Sequence, residues 1–140
     1  MRRRALVLLL LLTAACGAEQ DPVARLVAEV EAAAEDRDAA KVMKHVAASY
    51  PNRAEVENTL RRYFFGYKSF EIHIRDLEST ISGSEAFATF NVDFVGVPKE
   101  LGGMDQFLPR TATYRFELTL VQEGSDWMVS SARWEAARAT

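Results

Sequence analysis

The 140-residue chain is poor in the residues that make chemistry obvious. It has one cysteine, so no internal disulfide can form, and the fold must be held by its core alone. Its two histidines, His45 and His73, lie far apart with no ligand spacing between them, so no metal site is expected. No cofactor motif is present, and none is expected. No apolar run reaches the roughly 20 residues that a membrane-spanning helix needs. Basic residues number 17 against 20 acidic ones, a net charge of -3. That balance gives no electrostatic reason to bind nucleic acid. Repeats and low-complexity stretches are also missing.

What is present begins with charge and grease. Arg2, Arg3 and Arg4 precede an apolar run from Ala5 to Ala15 broken only by Thr13, and small residues follow. This is the layout of a secretory signal peptide. The single cysteine, Cys16, stands at its end in the stretch LTAAC, which resembles the lipobox of bacterial lipoproteins. In that family the cysteine thiol receives a diacylglycerol and the signal is cut before it. Thr13 departs from the pattern, since leucine is usual there and Leu12 lies one step earlier. The other reading is an ordinary signal cut near Ala15, with Cys16 left as a free thiol, an awkward group to export into an oxidising compartment. The expected organisation is a signal over residues 1–15, a lipidated Cys16 with a short tether over 16–21, and a folded domain over 22–140. The lipid on Cys16 would hold the protein to the cell membrane or outer membrane, facing the periplasm or the exterior. Gly17 stands where an aspartate would retain such proteins in the inner membrane, so the resemblance points to the outer membrane where there is one. Cleavage removes three arginines, leaving 14 basic against 20 acidic residues and a net charge of about -6.

Asp21-Pro22 reads as a helix start, an acceptor followed by proline at the first helical position. Val23, Leu26, Val27 and Val30 then share one helical face. Asp38 can cap a second helix carrying Val42, Met43 and Val46; a single bent helix is the other reading. Asn52 and Glu55 have capping-box spacing before a stripe of Val56, Leu60, Tyr63, Phe64 and Tyr67, read as core. Gly66 suits the helix end. From Lys68 the period becomes two. Phe70, Ile72 and Ile74 form one inner row, Ala86 to Phe94 another and Tyr114 to Leu120 a third, with a last strand from Trp127 to about Trp134. Turns fall at Ser82-Gly83-Ser84 and Glu123 to Asp126. Clean alternation means a sheet with one dry and one wet face. Helices first and strands after give an α+β class: N-terminal helices packed on an antiparallel sheet of about four strands.

This order resembles the nuclear transport factor two-like superfamily, also called cystatin-like or polyketide-cyclase-like. The resembling pieces are VARLVAEVEAAAEDRDAAKVMKHVAASY, AEVENTLRRYFFGY, FEIHIRDL with EAFATFNVDF, and YRFELTLVQEGSDWMVSSARW. The resemblance implies a curved, cone-shaped antiparallel sheet wrapped on a long helix, with a cone-shaped pocket. It leaves function open, because the superfamily holds isomerases, cyclases and dehydratases beside binding modules.

Glu71, His73, Asp93 and Glu117 fall on the wet face, a solvated or dimer surface. Three polar residues are the candidates for the pocket: Asp76, in phase with Ile72 and Ile74; Tyr114, which opens the third inner row; and Arg133, in phase with Trp127, Val129 and Ser131 on a last strand either face of which could be the inner one. A structural ion pair between Asp76 and Arg133 is the preferred expectation and a substrate-binding pair the other. Between about Gly96 and Arg110 runs a long loop carrying Leu101, Met104, Phe107 and Leu108, readable as a plug of the cone mouth or as a contact surface. The function expected is that of an envelope lipoprotein whose pocketed domain, without catalysis, binds a protein partner or a small apolar ligand. A homodimer through the sheet is a further expected contact. The alternative is an isomerase or cyclase using Asp76 as base.

Overall fold

The computed structural model describes residues 21–137. Cys16 and the stretches expected to form the signal peptide (1–15) and most of the tether (16–20) lie outside the described residues. Helix α1 spans Pro22–Glu35, α2 Ala39–Met43 and α3 Arg53–Phe65. Strands β1 (Tyr67–Ser82), β2 (Glu85–Pro98), β3 (Thr111–Glu123) and β4 (Asp126–Ala136) follow, with a 3-10 turn at Met104–Phe107. The strands form one antiparallel sheet in the order β1-β2-β3-β4. Sequential hairpins suffice for this meander, so no crossover is needed.

The first cap is as the sequence reads. Asp21 Oδ1 accepts from the Val23 and Ala24 N–H groups at 3.0 and 3.3 Å, satisfying donors that the helix itself leaves unpaired. Asp38 does the same for Lys41 at 3.1 Å. The two helices are separate because Arg37 takes a left-handed conformation, φ 56°, between them. The capping box at Asn52 does not form: Asn52 is itself left-handed and makes no side-chain cap bond. Arg53 organises that corner instead, donating to the carbonyl oxygens of Met43, Val46 and Ala47 at 2.8 to 3.1 Å. Tyr67, placed by helical spacing on the α3 stripe, is the first residue of β1.

One face of the sheet is dry. Leu26, Val27 and Val23 of α1 pack on Ala86, Ala88, Phe90, Val92, Leu120 and Val129. A second cluster joins Ala33, Ala39, Val42 and Phe64 of the helices to Tyr67, Phe70 and Phe94. Among the described residues no polar or charged residue is buried. Two bulges break the alternation. In β1 the pairing jumps between Arg75 and Glu78, so Asp76 and Leu77 together face Phe90. In β4 it jumps between Val129 and Ser131, with Ser130 Oγ donating to the Thr119 carbonyl at 3.1 Å.

Candidate functional site: the concave aromatic wall

Both bulges move residues that simple alternation places inward. An extra residue in one strand shifts every later side chain to the opposite face. Asp76 sits at the first bulge with φ 58°, and its carboxylate is turned to the outer face. There Oδ2 accepts from Arg75 Nη1 and Asn91 Nδ2, both at 2.9 Å. Past the second bulge Arg133 stands opposite Glu117 on the outer face and is exposed. The expected Asp76–Arg133 pair is therefore corrected: the two lie on opposite outer strands, and Asp76 pairs with Arg75. Tyr114 alone of the three candidates faces the interior, packed against both core clusters.

The outer face carries a polar array. Arg75 reaches Asp93 through Nε at 2.8 Å and Nη2 at 3.3 Å, and Thr113 Oγ1 donates to Asp93 at 3.0 Å. These bonds hold the Asp93 carboxyl below the usual carboxylate range, the Arg75 hydrogen bond contributing most. Glu71, His73 and Glu117 share this wet face, as their phase indicates.

The inner rows present almost nothing ionisable. From the register they are Phe70, Ile72, Ile74, Leu77, Ser79 and Ile81 on β1; Ala86, Ala88, Phe90, Val92 and Phe94 on β2; Ala112 to Leu120, alternate residues, on β3; and Val129, Ala132, Trp134 and Ala136 on β4. Across the middle runs an aromatic row. Phe90 and Phe116 stack at 5.4 Å between centroids and 3° between planes, and Phe116 and Trp134 at 5.9 Å and 22°. Phe90 is buried under α1, Phe116 half-buried, and Trp134 61% exposed. The row thus leads from the core to an open apolar wall that the helices leave uncovered. Trp134 is the residue that sequence reasoning passed over, because the Ser130 bulge hides its phase.

The polar groups nearest this wall are phenols. Tyr63 of α3, Tyr67 and Tyr114 are neighbours, and Tyr67 Oη donates to the Pro109 carbonyl at 2.7 Å. Tyr63 stays 36% exposed, yet partial desolvation, with the adjoining phenols of Tyr67 and Tyr114, raises its pKa above the ordinary tyrosine value. Such groups donate or accept a hydrogen bond at neutral pH but do not act as strong bases.

The long loop divides its labour. Leu108 packs into the second cluster, and Arg110 accepts from the Gly96 N–H at 2.7 Å. Met104 and Phe107 point to solvent, 67% and 77% exposed. Elsewhere a shallow groove of about 470 Å³ lies between Asp36, Arg37, Asp38, Arg61 and Phe65. Its charges compensate one another, and Arg37 is committed to the Tyr67 carbonyl at 2.6 Å. No cluster of histidine, cysteine or carboxylates suited to a metal occurs among the described residues.

Solved structures share this architecture. A scytalone-dehydratase-like protein from Novosphingobium aromaticivorans superposes with a TM-score of 0.74 at 12% identity, over 90% of this chain and 89% of that one. The fold is the nuclear transport factor 2-like, or cystatin-like, fold. A dehydratase-like protein of the NTF2-like family from Streptomyces avermitilis gives 0.71 at 13% identity, over 85% and 97%. An NTF2-like superfamily protein from Salmonella enterica gives 0.70 at 11%, over 84% and 90%. No family model matches the chain. No curated protein matches it either. At these identities the likeness concerns the NTF2-like fold, which hosts many functions.

Proposed function

We propose that the protein is a membrane-anchored envelope lipoprotein whose NTF2-like domain binds a small apolar ligand or a partner side chain on its concave aromatic wall, without catalysis. The observation that carries the binding role is the Phe90–Phe116–Trp134 row, which ends in a largely exposed tryptophan on an otherwise dry face. A stacked, pre-positioned aromatic wall favours a flat apolar guest, because little side-chain freedom is lost on binding. The anchor rests on Cys16 and its lipobox-like setting alone. The isomerase or cyclase alternative has phenolic donors in Tyr63 and Tyr114 but lacks its base, since the carboxylate of Asp76 lies on the other side of the sheet. General acid–base catalysis needs both groups within reach of one substrate.

The test is mass spectrometry of small molecules extracted from the purified full chain. A compound enriched with the wild type and lost in Trp134→Ala supports the binding role. Equal recovery from both proteins, or from neither, rejects the wall as the binding surface.

A further inference from the structure

Strand β4 is a sheet edge, and its two halves differ. The first half is covered: Ala47 N–H donates to the Val129 carbonyl and Val129 N–H to the His45 carbonyl, each at 2.8 Å. Beyond Ser130, nothing among the described residues pairs with the rim from Ser131 to Ala136. Ala137 N–H donates to Thr113 at 2.8 Å, which fixes the parity of the ladder. Glu135 and Arg133 therefore bond to β3, while Ala132, Trp134 and Ala136 aim their N–H and C=O groups at the free rim. The opposite edge is protected. Glu35 Oε1 accepts from the Ile72 N–H at 3.0 Å, and the Asp76 bulge interrupts the rim. Exposed edges are ordinarily blunted by such devices; the second half of β4 has neither proline nor lysine nor a further bulge.

The sequence of that half, Ala132-Arg133-Trp134-Glu135-Ala136, is a palindrome with its charge inverted about Trp134. We propose that this rim pairs antiparallel with the same rim of a second copy, across a two-fold axis at Trp134. In that register Ala132 and Ala136 of the partner subunit exchange backbone hydrogen bonds. Arg133 faces Glu135 of the partner subunit on the outer face, and symmetry makes the contact twice. Within one copy Arg115, Glu117, Arg133 and Glu135, with Trp134, line a hollow of about 60 Å³, yet the four charged residues are not among the ion pairs of the described residues. Pairing would complete the row Arg115, Glu135, Arg133, Glu117 with alternating sign across both copies. On the concave side the aromatic row would run on through Trp134 to its mate. A foreign strand has no reason to match this inverted pattern, whereas a second copy does so by symmetry.

Sedimentation equilibrium of the full chain in a density-matched detergent tests the pairing. The wild type should be a dimer. Arg133→Glu places like charges opposite each other twice and should weaken association about tenfold or more. Arg133→Glu with Glu135→Arg restores the inversion and should restore the dimer. Ala136→Pro removes an N–H that faces the free rim, a position edge strands accept, and should leave a folded monomer with an unchanged far-ultraviolet spectrum and a melt lowered only by the lost association. A monomeric wild type overturns the proposal. So does a dimer that survives Ala136→Pro, or an Arg133→Glu defect that the charge swap fails to repair.

Discussion

A β-carbon on Gly96 would stand 2.7 Å from Cε1 of the Tyr67 ring, and equally close to Cζ of Phe94. Tyr67 is fully buried, and its hydroxyl is fixed on Pro109. The ring lies over the backbone of β2 because Gly96 has no side chain there. This contact ties the start of β1 to the end of β2 and to the loop that follows. Gly96→Ala must displace one of two rings held in an aromatic cluster, with little room to yield. Overpacking of this kind costs typically about 1–3 kcal/mol. Urea melts should show a loss in that range with an unchanged denaturant slope.

Phe64 and His73 separate the two faces of the fold. Phe64 is buried, its ring 5.7 Å from that of Phe70. Phe64→Ala leaves a cavity in the second cluster and should cost about 3–5 kcal/mol. His73 is exposed on the outer face opposite Asp93. His73→Ala should stay within about 0.5 kcal/mol, as for ordinary surface sites. Paired melts giving equal losses would refute the assignment of faces.

Much of this architecture is legible in the chain itself, because local physics writes it in short patterns. Asp21 and Asp38 are caps by residue type and position, and period-two runs mark β1 to β4 and their wet face. The failures at the candidate site share one physical source. A bulge adds a residue without changing composition, so alternation read across Ile74 to Asp76, or across Val129 to Arg133, carries the wrong phase beyond it. That error put Asp76 and Arg133 inside and left Trp134 unnoticed. Tyr67 was misplaced because helical spacing from Tyr63 and Phe64 continues one step past the true helix end. The array around Asp93 depends on which strands are neighbours, and no single strand records that.

Tyr63 gives a pH prediction with a definite sign. Its folded pKa is raised above the unfolded value, chiefly by burial and then by the Tyr67 and Tyr114 phenols. The neutral phenol's contribution is complete below the ordinary tyrosine value of about 10. Above that pH the unfolded chain ionises first, and stability falls as pH rises toward the folded pKa. Tyr63→Phe should flatten this alkaline loss while leaving the neutral-pH melt little changed. In spectrophotometric titration the variant should lack one late-ionising phenol. An equal alkaline slope in both proteins would contradict the raised pKa.

The proposed anchor makes Cys16 the residue through which the domain would meet a membrane. Among the described residues no helix is long and apolar enough to cross one, and the proposed attachment is the lipid. One acyl chain binds only marginally, each buried methylene contributing about 0.8 kcal/mol, and two or more chains hold firmly. A lipidated wild type expressed in a lipoprotein-competent bacterium should partition into the detergent phase and take up labelled palmitate. Cys16→Ser removes the acceptor thiol, so the variant should move to the aqueous phase without label. The folded domain should be indifferent to the change, since its core begins at Val23 and is closed by α1 on the sheet. Far-ultraviolet spectra and melts of residues 20–140 should therefore match those of the extracted wild type. Wild-type protein that stays aqueous and unlabelled would rule out the anchor while leaving the aromatic wall to be judged on its own test.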